Sequence, residues 1–563
     1  MNRRLQLLRR ALPYAGLTSR RAAKGMPWQQ PDSTECVVIG GGISGLAAAG
    51  LLARDGHAVT VLEKQAVLGG RAGRWEQGGF TFDTGPSWYL MPEVIDHWFA
   101  MMGTSAAAEL ELTRLDPAYR LWGAGTDAPV DVHTGRAAAR DLFDSLERGS
   151  GKRLDGYLDS AQLAYTLAKR HFLYDPFGTL RGLAAPAVLR QAPRLAQLLT
   201  RSLHSFVASR FPNPLQQKIL GYPAVFLGTS PYKAPALYHL MSHLDLQDGV
   251  LYPQGGFAAV VDAMERVVRR AGVTIVTGAT ATRIVTGPAR KRTRCEAVAW
   301  VDAAGVEQRT PARIVVGAAD LHHVETALLP EALRTQPAKK WRRADPGISA
   351  VLLCLGVRGG LPRLAHHNLL FTDDWQDNFA RIADGRDLAD TTSIYVCRPS
   401  ATDATVAPAG GENLFLLIPV PALPSWGKGG PDGGGSPVVE RVADAAIAQL
   451  AAWTGTPDLA ERITVRRSYG PADFQDDVNA WRGSALGLAH TLRQSAFLRP
   501  GNGNAKVEGL FYAGSSVRPG IGVPLCMISA EIVLKAVRGD RSAGPLPEPG
   551  VAASAGAVAA GAA

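Results

Sequence analysis

The sequence predicts an α/β fold in which a parallel β-sheet is assembled from three separated segments of the chain. The first observation is a strand, a helix and a second strand at residues 35–64, and the second is renewed alternation of strands and helices at residues 246–335. The third is a final strand followed by a helix at residues 510–538. Parallel strands need crossover connections, so this alternation is their usual signature. The long segments between these three then form a second domain.

The first segment, Glu35 to Lys64, is a compact βαβ unit. Val37–Ile39 has the length and residue types of a buried strand, and the Ala- and Leu-rich run after it is typical of a helix. Gly56 ends that helix, and Ala58–Leu62 forms a second strand with Glu63 at its end. A glycine turn between the first strand and the helix completes the pattern of a dinucleotide-binding unit.

Three glycines in this turn have separate physical roles. Gly40 makes the tight turn, Gly42 lets a pyrophosphate approach the backbone, and Gly45 lets the helix pack closely on the strand. The N–H groups at the helix start then meet the phosphates. Glu63, eighteen positions after Gly45, can accept hydrogen bonds from an adenosine ribose and disfavours a 2′-phosphate. We predict a dinucleotide other than NADP, bound by these four residues and Lys64; the alternative is a glycine turn that serves packing alone.

A second glycine-rich loop follows the βαβ unit. Gly69 and Gly70 allow close approach to the same pyrophosphate, and the guanidinium of Arg71 can give it charge-assisted hydrogen bonds. Gly85 and Pro86 come shortly afterwards. The alternative is a surface hairpin with a solvated Arg71. The pattern resembles the flavoproteins that include amine oxidases, protoporphyrinogen oxidase and the carotenoid desaturases, so we expect FAD rather than NAD, with Gly85 and Pro86 in its site.

Length and composition indicate a large globular protein. The chain has 563 residues and 59.7 kDa, which suits two or three lobes, and 46% of its residues are hydrophobic. Its five cysteines lack CxxC spacing, which argues against a metal site or a disulfide framework and favours a reducing compartment. These cysteines are Cys36, Cys295, Cys354, Cys397 and Cys526.

The net charge of +10 is concentrated at the N-terminus, where residues 1–31 hold seven basic residues and no acid. Arg3-Arg4 invites a twin-arginine export hypothesis, but no apolar stretch of adequate length follows. A basic membrane-surface anchor, a disordered arm, or a true start at Met26 remain open alternatives. Nucleic acid is not an expected partner, because few aromatic residues accompany the basic ones.

A second basic stretch, residues 176–244, contains no Asp or Glu. Within it, Leu189 to Phe211 has apolar residues at helical spacing and arginines between them. We predict a basic amphipathic helix that lies on a lipid surface, with an ordinary core helix as the alternative. The longest charge-free run near the start, Cys36–Ala53, belongs to the βαβ unit, so no transmembrane helix is expected. The predicted location is therefore peripheral, at the cytoplasmic face of the membrane.

Five further segments carry a specific resemblance. GFTFDTGPSWYLMPEV, LAHHNLLFTDDW, SIYVCRPSATDATVAPAG, GSALGLAHTLRQSAFLRPGN and GLFYAGSSVRPGIGVPLCMISAEIV resemble the bacterial-type phytoene desaturases over about residues 35–538. The resemblance implies a GR2-type flavoprotein: a discontinuous Rossmann-like FAD-binding domain with an inserted mixed α+β substrate domain and a helical, membrane-associated subregion.

The last of these segments also has a physical interpretation. Leu510–Ala513 is a predicted strand, and a helix begins near Val523, so the positive end of its dipole can face a flavin pyrimidine. The resemblance implies that Gly514, Gly520 and Gly522 lie near the flavin. A simple packing junction between strand and helix is the alternative.

The resemblance implies a reaction and its partners. A long apolar carotenoid, phytoene being converted towards lycopene, loses a hydride to FAD and a proton from the neighbouring carbon. Oxygen or a membrane quinone is the implied electron acceptor. A carotenoid isomerase, a late-pathway carotenoid desaturase or oxygenase, and a non-catalytic carotenoid carrier are the alternatives, whereas no motif for the aromatic cage of an amine oxidase is present.

No catalytic residue is assigned from the sequence. The reaction needs no strong base if a cationic intermediate forms, because such a cation is itself very acidic. The candidates by residue type, each more often structural, are His239, His243, Asp245, His366, His367 and His490.

The predicted division of the chain follows from these segments. Residues 423–437 are rich in Gly, Pro and Ser and are predicted to form a flexible loop in the substrate domain. The predicted units are a basic tail at residues 1–34, FAD-binding parts at 35–120, 246–335 and 461–540, substrate parts at 121–245 and 336–460, and a disordered Ala/Gly-rich tail at 541–563.

Overall fold

The computed structural model describes residues 34–123, 128–176, 186–290 and 292–549. Most of the predicted basic tail and residues 550–563 of the predicted C-terminal tail lie outside the described residues. The strands are β1 (Glu35–Ile39), β2 (Ala58–Glu63), β3 (Arg74–Gln77), β4 (Phe80–Asp83), β5 (Leu112–Arg114), β6 (Tyr119–Gly123), β7 (Val130–Val132), β8 (Leu251–Pro253), β9 (Thr274–Thr277), β10 (Thr280–Pro288), β11 (Thr293–Val301), β12 (Glu307–Pro311), β13 (Ile314–Gly317), β14 (Ile348–Arg358), β15 (His367–Phe371), β16 (Ile394–Cys397), β17 (Gly411–Pro421), β18 (Ile463–Tyr469), β19 (Val507–Glu508) and β20 (Leu510–Tyr512).

Helices of three to nineteen residues connect and cover these strands. They are α1 (Ile43–Arg54), α2 (Pro92–Met101), α3 (Ala106–Glu109), α4 (Arg136–Leu146), α5 (Ser150–Ala168), α6 (Pro186–Arg190), α7 (Ala192–Thr200), α8 (Leu203–Ala208), α9 (Pro214–Gly221), α10 (Met241–His243), α11 (Gly256–Arg270), α12 (Leu321–Ala327), α13 (Ala338–Trp341), α14 (Trp375–Asp384), α15 (Pro437–Thr454), α16 (Leu459–Arg462), α17 (Pro471–Val478) and α18 (Val523–Arg538).

A five-stranded parallel sheet of order β20-β13-β1-β2-β9 forms the centre of the first domain. On β1, Val38 pairs with Val61 of β2 and Val316 of β13, and Val37 and Val38 are fully buried. Strands buried on both faces read as continuous apolar runs, which is why Val37–Ile39 is so apolar. The five strands come from all three predicted segments, so the discontinuous Rossmann-like domain is confirmed.

Helices cover both faces of this sheet. On one face α1, α11 and α18 pack together, and an added Cβ at Gly50 of α1 would lie 2.9 Å from Val268 Cγ1 of α11. On the other face, α12 contributes Leu321 and Val324 to a second core. The antiparallel strands β10, β11 and β12, with β19 beside β11, adjoin that second core.

The second domain is a seven-stranded sheet of order β18-β14-β17-β16-β15-β6-β7. Its longest pair, β14 and β17, is antiparallel along its whole length, and α15 packs against its core. β18 pairs with β14, although it lies in the segment predicted to belong to the FAD-binding domain. In β18 only Val465 and Ser468 are buried, as expected at the edge of a sheet, and such a short pattern does not assign the strand to one domain.

The predicted amphipathic helix from Leu189 to Phe211 is wrong as a single helix, because the structure divides this stretch among α6, α7 and α8. The break before α7 coincides with Pro193 in its first turn, and Ser202 caps α8 by accepting a hydrogen bond from Ser205 N–H at 3.2 Å. Its apolar residues mostly enter the core: Leu198, Leu203, Phe206 and Val207 are buried.

The remaining predicted loop and tail are held by specific contacts. In the Gly-rich loop, Gly430 N–H donates to Ser468 Oγ at 2.9 Å and Gly429 N–H donates to Asp473 at 2.7 Å. After residue 541 the chain packs on α18, where Leu546 N–H donates to Glu531 Oε1 at 2.6 Å. Residues 541–549, the part of the predicted disordered tail that the structure describes, are therefore held against α18, where Glu531 offers a buried acceptor.

Across the described part of the chain, no helix combines the length and the apolar character that spanning a bilayer requires.

Candidate functional site

The glycine turn between β1 and α1 brings the start of α1 against the end of β1. Gly40 adopts φ 107°, which favours glycine, and a Cβ there would lie 3.1 Å from Ala319 N. A Cβ on Gly45 would lie only 1.9 Å from the carbonyl oxygen of Gly40. Neither position accepts a side chain, so the free N–H groups at the start of α1 sit at a bare backbone surface.

The second glycine loop lies directly beside this turn. Gly69 N–H donates to the carbonyl oxygen of Gly41 at 3.0 Å, and Gly42 and Gly69 form a parallel bridge. Gly69 and Gly70 both have positive φ, at 114° and 58°. The two loops, nearly thirty residues apart in sequence, thus form one cradle, as the hypothesis of a shared pyrophosphate site requires.

Glu63 lies at the end of β2 with 7% of its surface exposed. Its carboxylate accepts hydrogen bonds from Gly41 N–H at 2.6 Å and from Gln65 N–H at 2.8 Å, so it also fixes the turn. Each carboxylate oxygen has a second lone pair for a ribose hydroxyl. Lys64 points elsewhere: its Nζ donates to the carbonyl oxygen of Asp476 and to Asn479 Oδ1 at 3.5 Å, at the end of α17.

Arg71 projects from the second loop towards two groups that the sequence alone did not connect to it. Its Nη2 lies 3.8 Å from Asp320 Oδ2 and 3.5 Å from the carbonyl oxygen of Ser484. Its Nε is buried and has no hydrogen-bond partner among the described residues. A guanidinium with an unused buried N–H suits a bound anion. Asp320 follows β13, where an acid at the end of a strand is a usable sequence signal.

The backbone of Gly85 packs on the backbone of Arg71, since a Cβ at Gly85 would lie 1.8 Å from the Arg71 carbonyl oxygen. Pro86 follows and leads into Ser87 and Trp88. These two predicted site residues therefore lie between the cradle and the aromatic side chains described below.

The start of α18 is the third part of the site. Gly514, Gly520 and Gly522 have φ of 130°, 146° and 122°, and Gly522 caps the helix without a side-chain hydrogen bond. Residues 522–526 are partly exposed although Ile521 and Met527 on either side are buried. The first turn of α18 is therefore partly exposed, and the N–H groups at the helix start have no side-chain cap.

His490 positions this glycine turn. Its Nε2 accepts a hydrogen bond from Ile521 N–H at 3.0 Å, and its ring would be 2.2 Å from a Cβ on Gly520. Because Nε2 accepts, Nδ1 carries the proton and donates to the Tyr238 hydroxyl, which in turn donates to Ser495 Oγ at 3.0 Å. Burial lowers the pKa of His490 well below its ordinary value, which keeps this chain of hydrogen bonds intact.

An aromatic cluster adjoins Gly85 and Pro86. Trp88 lies at its centre, half-buried, and stacks on His367 with ring centroids 4.6 Å apart and an angle of 9°. The other rings have centroids between 5.4 and 6.2 Å from that of Trp88. We call this group the Trp88 cluster, and it comprises Trp88, Tyr119, Tyr222, Phe226, His367 and Tyr395. It offers an aromatic surface that follows directly on Gly85 and Pro86 in the chain.

The other candidate catalytic residues lie apart from the glycine loops. His239 is buried, and both its nitrogens are used, by Ser160 Oγ at 2.7 Å and the Ala236 carbonyl oxygen at 2.9 Å. His243 Nε2 lies 3.6 Å from Asp248. The contacts of His239 and His243 therefore stabilise the fold. Asp245 accepts a hydrogen bond from Tyr119 of the Trp88 cluster at 3.0 Å. His367 is the first residue of β15, and His366 immediately precedes it.

Asp245 provides a prediction of pH dependence. Burial raises its pKa to about 7, so the folded protein favours the protonated acid. This stabilisation is fully present below the unfolded pKa of about 4 and is lost as the pH rises through 7. In Asp245→Asn, an uncharged amide removes that loss, and we expect the variant to exceed the wild type in unfolding free energy at pH 8 by roughly 2–4 kcal/mol.

Urea unfolding at pH 5 and pH 8 measures this difference. Asp141→Asn, at an exposed acid on α4, is the matched control and should follow the wild type at both pH values. An Asp245→Asn variant whose stability falls between pH 5 and 8 as steeply as that of the wild type would contradict the assignment.

Comparison with known proteins places these features in a family context. Residues 43–533 match the family described as flavin containing amine oxidoreductase. A carotenoid 3,4-desaturase from Haloarcula japonica is 39% identical and covers 89% of this chain and 98% of its own length. A zeta-carotene-forming phytoene desaturase from Myxococcus xanthus is 34% identical, covering 88% and 92%. A 4,4'-diapophytoene desaturase from Staphylococcus aureus is 30% identical, covering 88% and 97%.

Solved structures show the same fold at much lower identity. An oxidoreductase from Methanosarcina mazei has a TM-score of 0.58 at 17% identity, covering 89% of this chain and all of that chain. Cyclohexylamine oxidase from Brevibacterium oxydans has a TM-score of 0.54 at 15% identity, covering 90% and 99%. At identities this low, the similarity supports only a shared fold.

The residues present fit a flavin dinucleotide. Gly40, Gly45 and Gly69 of the paired loops leave no room for side chains, and Arg71 Nε is buried without a hydrogen-bond partner among the described residues. Two helix starts without side-chain caps, those of α1 and α18, supply further N–H groups.

Proposed function

Because the chain belongs to the flavin containing amine oxidoreductase family, we propose that it desaturates a carotenoid with FAD as cofactor. The observation that carries the proposal is similarity along nearly the whole chain to three relatives that are named as desaturases of carotenoids or their diapo analogue. The Trp88 cluster adds a geometric reason, because a polyene is a flat apolar chain that packs well on aromatic faces.

The residues of this chain bind the cofactor and orient the substrate. The N–H groups at Gly42 and Gly70 and the guanidinium of Arg71 would hold the pyrophosphate, and Glu63 would hold the ribose. When bound, FAD supplies a hydride acceptor. The first turn of α18 would stabilise negative charge on the flavin ring.

The substrate side of the site needs little acid–base chemistry. The substrate loses one hydride and one proton from neighbouring carbons, and one C–C single bond becomes double. The Trp88 cluster excludes water and holds the chain against the cofactor. His490 is a positioning residue for the Gly520 turn, because its acceptor nitrogen is engaged by Ile521 N–H.

Two substrates fit this proposal. Phytoene is one, and the relatives at 34% and 30% identity carry names of that class. The relative at 39% identity is a carotenoid 3,4-desaturase, which favours a late-pathway substrate, already conjugated, as the second candidate.

Expression in two bacterial hosts, one accumulating phytoene and one accumulating lycopene, separates these candidates. Longer-wavelength absorption bands in extracts of the phytoene host establish phytoene desaturation, and their positions count the double bonds. New bands only in the lycopene host establish the late-pathway reaction. Unchanged pigments in both hosts, with flavin-loaded protein present, would overturn carotenoid desaturation in favour of an isomerase or a carrier.

The two electrons and two protons removed from the substrate need an acceptor, and we propose oxygen or a membrane quinone. Turnover of purified protein under anaerobic conditions, with and without added quinone, distinguishes them. Product formed only when quinone is present identifies the quinone, and product formed only in air identifies oxygen.

A peripheral position at the cytoplasmic face of the membrane is proposed on charge and exposure. Leu189 is 57% exposed, and Arg190 and Arg194 beside it are also exposed. We expect sedimentation with phosphatidylglycerol vesicles and not with phosphatidylcholine vesicles. Leu189→Glu should reduce that binding several-fold, whereas Val306→Glu, at a side chain 53% exposed on another surface, should not. Equal binding of both variants would contradict the proposal.

A further inference from the structure

Two histidines and a cysteine meet where β15 pairs with β16. His367 of β15 is the register partner of Cys397 of β16, and His366 immediately precedes β15. All three are buried, and their potential ligand atoms lie within 4.8 Å of one another. The sequence argued against a metal site because the cysteines lack CxxC spacing, but this cluster draws its members from two strands.

The hydrogen bonds of the two imidazoles leave one nitrogen of each unused. His366 Nδ1 is bonded to Thr402 Oγ1 and His367 Nδ1 to the Tyr395 hydroxyl, both at 2.8 Å. His366 Nε2 and His367 Nε2 are buried and have no partner among the described residues. Two unsatisfied polar atoms side by side are costly in a protein interior. In metal sites, the nitrogen that does not ligate the metal is held by just such a hydrogen bond.

The spacing of the three ligand atoms suits a planar, three-coordinate site. Metal bonds of about 2.0–2.3 Å to nitrogen and sulfur place ligand atoms about 3.5–4 Å apart in a trigonal plane. The observed limit of 4.8 Å requires only a small closing movement of the side chains.

The charge of the cluster favours a soft monovalent cation. Two neutral imidazoles and one thiolate bind Cu⁺ with no net charge, which suits a buried site. The carboxylate of Asp403 accepts hydrogen bonds from Tyr252, Gly255 N–H and Thr405 and is not one of the three grouped ligands, so a tetrahedral Zn²⁺ would need a water molecule as its fourth ligand.

We propose that His366, His367 and Cys397 form a three-coordinate binding site for a soft d10 cation, for which Cu⁺ has the best charge balance. The bound cation would replace the thiol proton and tie β15 to β16 behind the Trp88 cluster, of which His367 is a member. A cation at this site would fix the His367 ring, on which Trp88 stacks, and would thereby hold the Trp88 cluster in place.

In the test, full-length protein with bound flavin and reduced thiols is loaded with Cu⁺ in the absence of oxygen. A parallel sample is loaded with Zn²⁺. Both samples are then dialysed against a chelator of micromolar affinity. We expect one Cu⁺ per chain in the wild type and in Cys354→Ser, which alters another buried cysteine, on β14. Cys397→Ser should retain less than a tenth of that amount while keeping its flavin spectrum. Retention of Zn²⁺ at one per chain, lost in the same variant, would also support the site.

X-ray absorption of the loaded wild type keeps the proposal testable should Cys397→Ser fold poorly. One sulfur and two nitrogen neighbours around the metal are expected. A wild type that keeps neither cation, or a Cys397→Ser variant that keeps either as well as the wild type, would overturn the proposal, as would a shell without sulfur.

Discussion

Gly45→Ala is expected to yield protein that purifies without flavin. The new Cβ would lie 1.9 Å from the Gly40 carbonyl oxygen and 3.0 Å from its carbonyl carbon, so α1 must move away from the turn. β1 cannot yield, because β2 and β13 pair with it on both sides. A shift of this size also removes the helix N–H groups from the pyrophosphate. We expect FAD affinity to fall at least about 100-fold, a loss of about 3 kcal/mol.

The ratio of flavin to protein absorbance after purification and titration with FAD measures this loss. Gly156→Ala is the matched control: it lies in α5, and a Cβ there meets no atom within 4 Å. That variant should keep its flavin and gain up to about 1 kcal/mol from better helix propensity. Full flavin occupancy in Gly45→Ala would contradict the assignment of the glycine turn to the FAD site.

Arg499→Met is expected to destabilise the protein by at least about 3 kcal/mol. Arg499 is 1% exposed, and its guanidinium donates to the carbonyl oxygens of Val517 at 3.0 Å, Gln494 at 2.9 Å and Leu488 at 2.8 Å, and also to that of Ser515. Methionine fills a similar volume but leaves these four acceptors unsatisfied. Burial lowers the pKa of the guanidinium to about 10, which still leaves it charged at neutral pH.

The same substitution should release the flavin earlier during unfolding. The segments that Arg499 joins flank Gly514 and Gly520, so loosening them exposes the start of α18. Denaturant titration followed by both circular dichroism and flavin fluorescence measures the two effects. Arg493→Met, an exposed arginine in the same segment, should leave both curves unchanged. Coincident curves for Arg499→Met and the wild type would show that this arginine does not hold the loops.

The local parts of the fold could be predicted because neighbouring residues determine them. The predicted bounds of β1, α1 and β2 agree with the structure to within two residues. They rest on the apolar run at Val37–Ile39, the glycine turn and the alternation at Ala58–Leu62. The prediction of a single helix from Leu189 to Phe211 was wrong for a physical reason. Its apolar period is helical throughout, but Pro193 and Ser202 restart the helix at two points.

The non-local parts of the candidate site could not be predicted in this way. Arg71 meets Ser484, which lies 413 residues further along the chain, and no local pattern connects the two. His490 was a candidate by residue type, yet its role comes from Ile521 across the fold. The pairing of His367 with Cys397 likewise depends on strand register, which only the folded sheet defines.

The order of the strands in the central sheet has a consequence for biosynthesis. β1 and β2 leave the ribosome first, but β20 and α18, which complete the site, lie at residues 510–538 of 563. Pairings between such distant segments have a high loop-closure cost and form late. The nascent chain therefore carries its glycine turn for most of translation without a partner for the flavin ring. We therefore expect cofactor capture to wait until β20 and α18 have been synthesised and have closed the sheet.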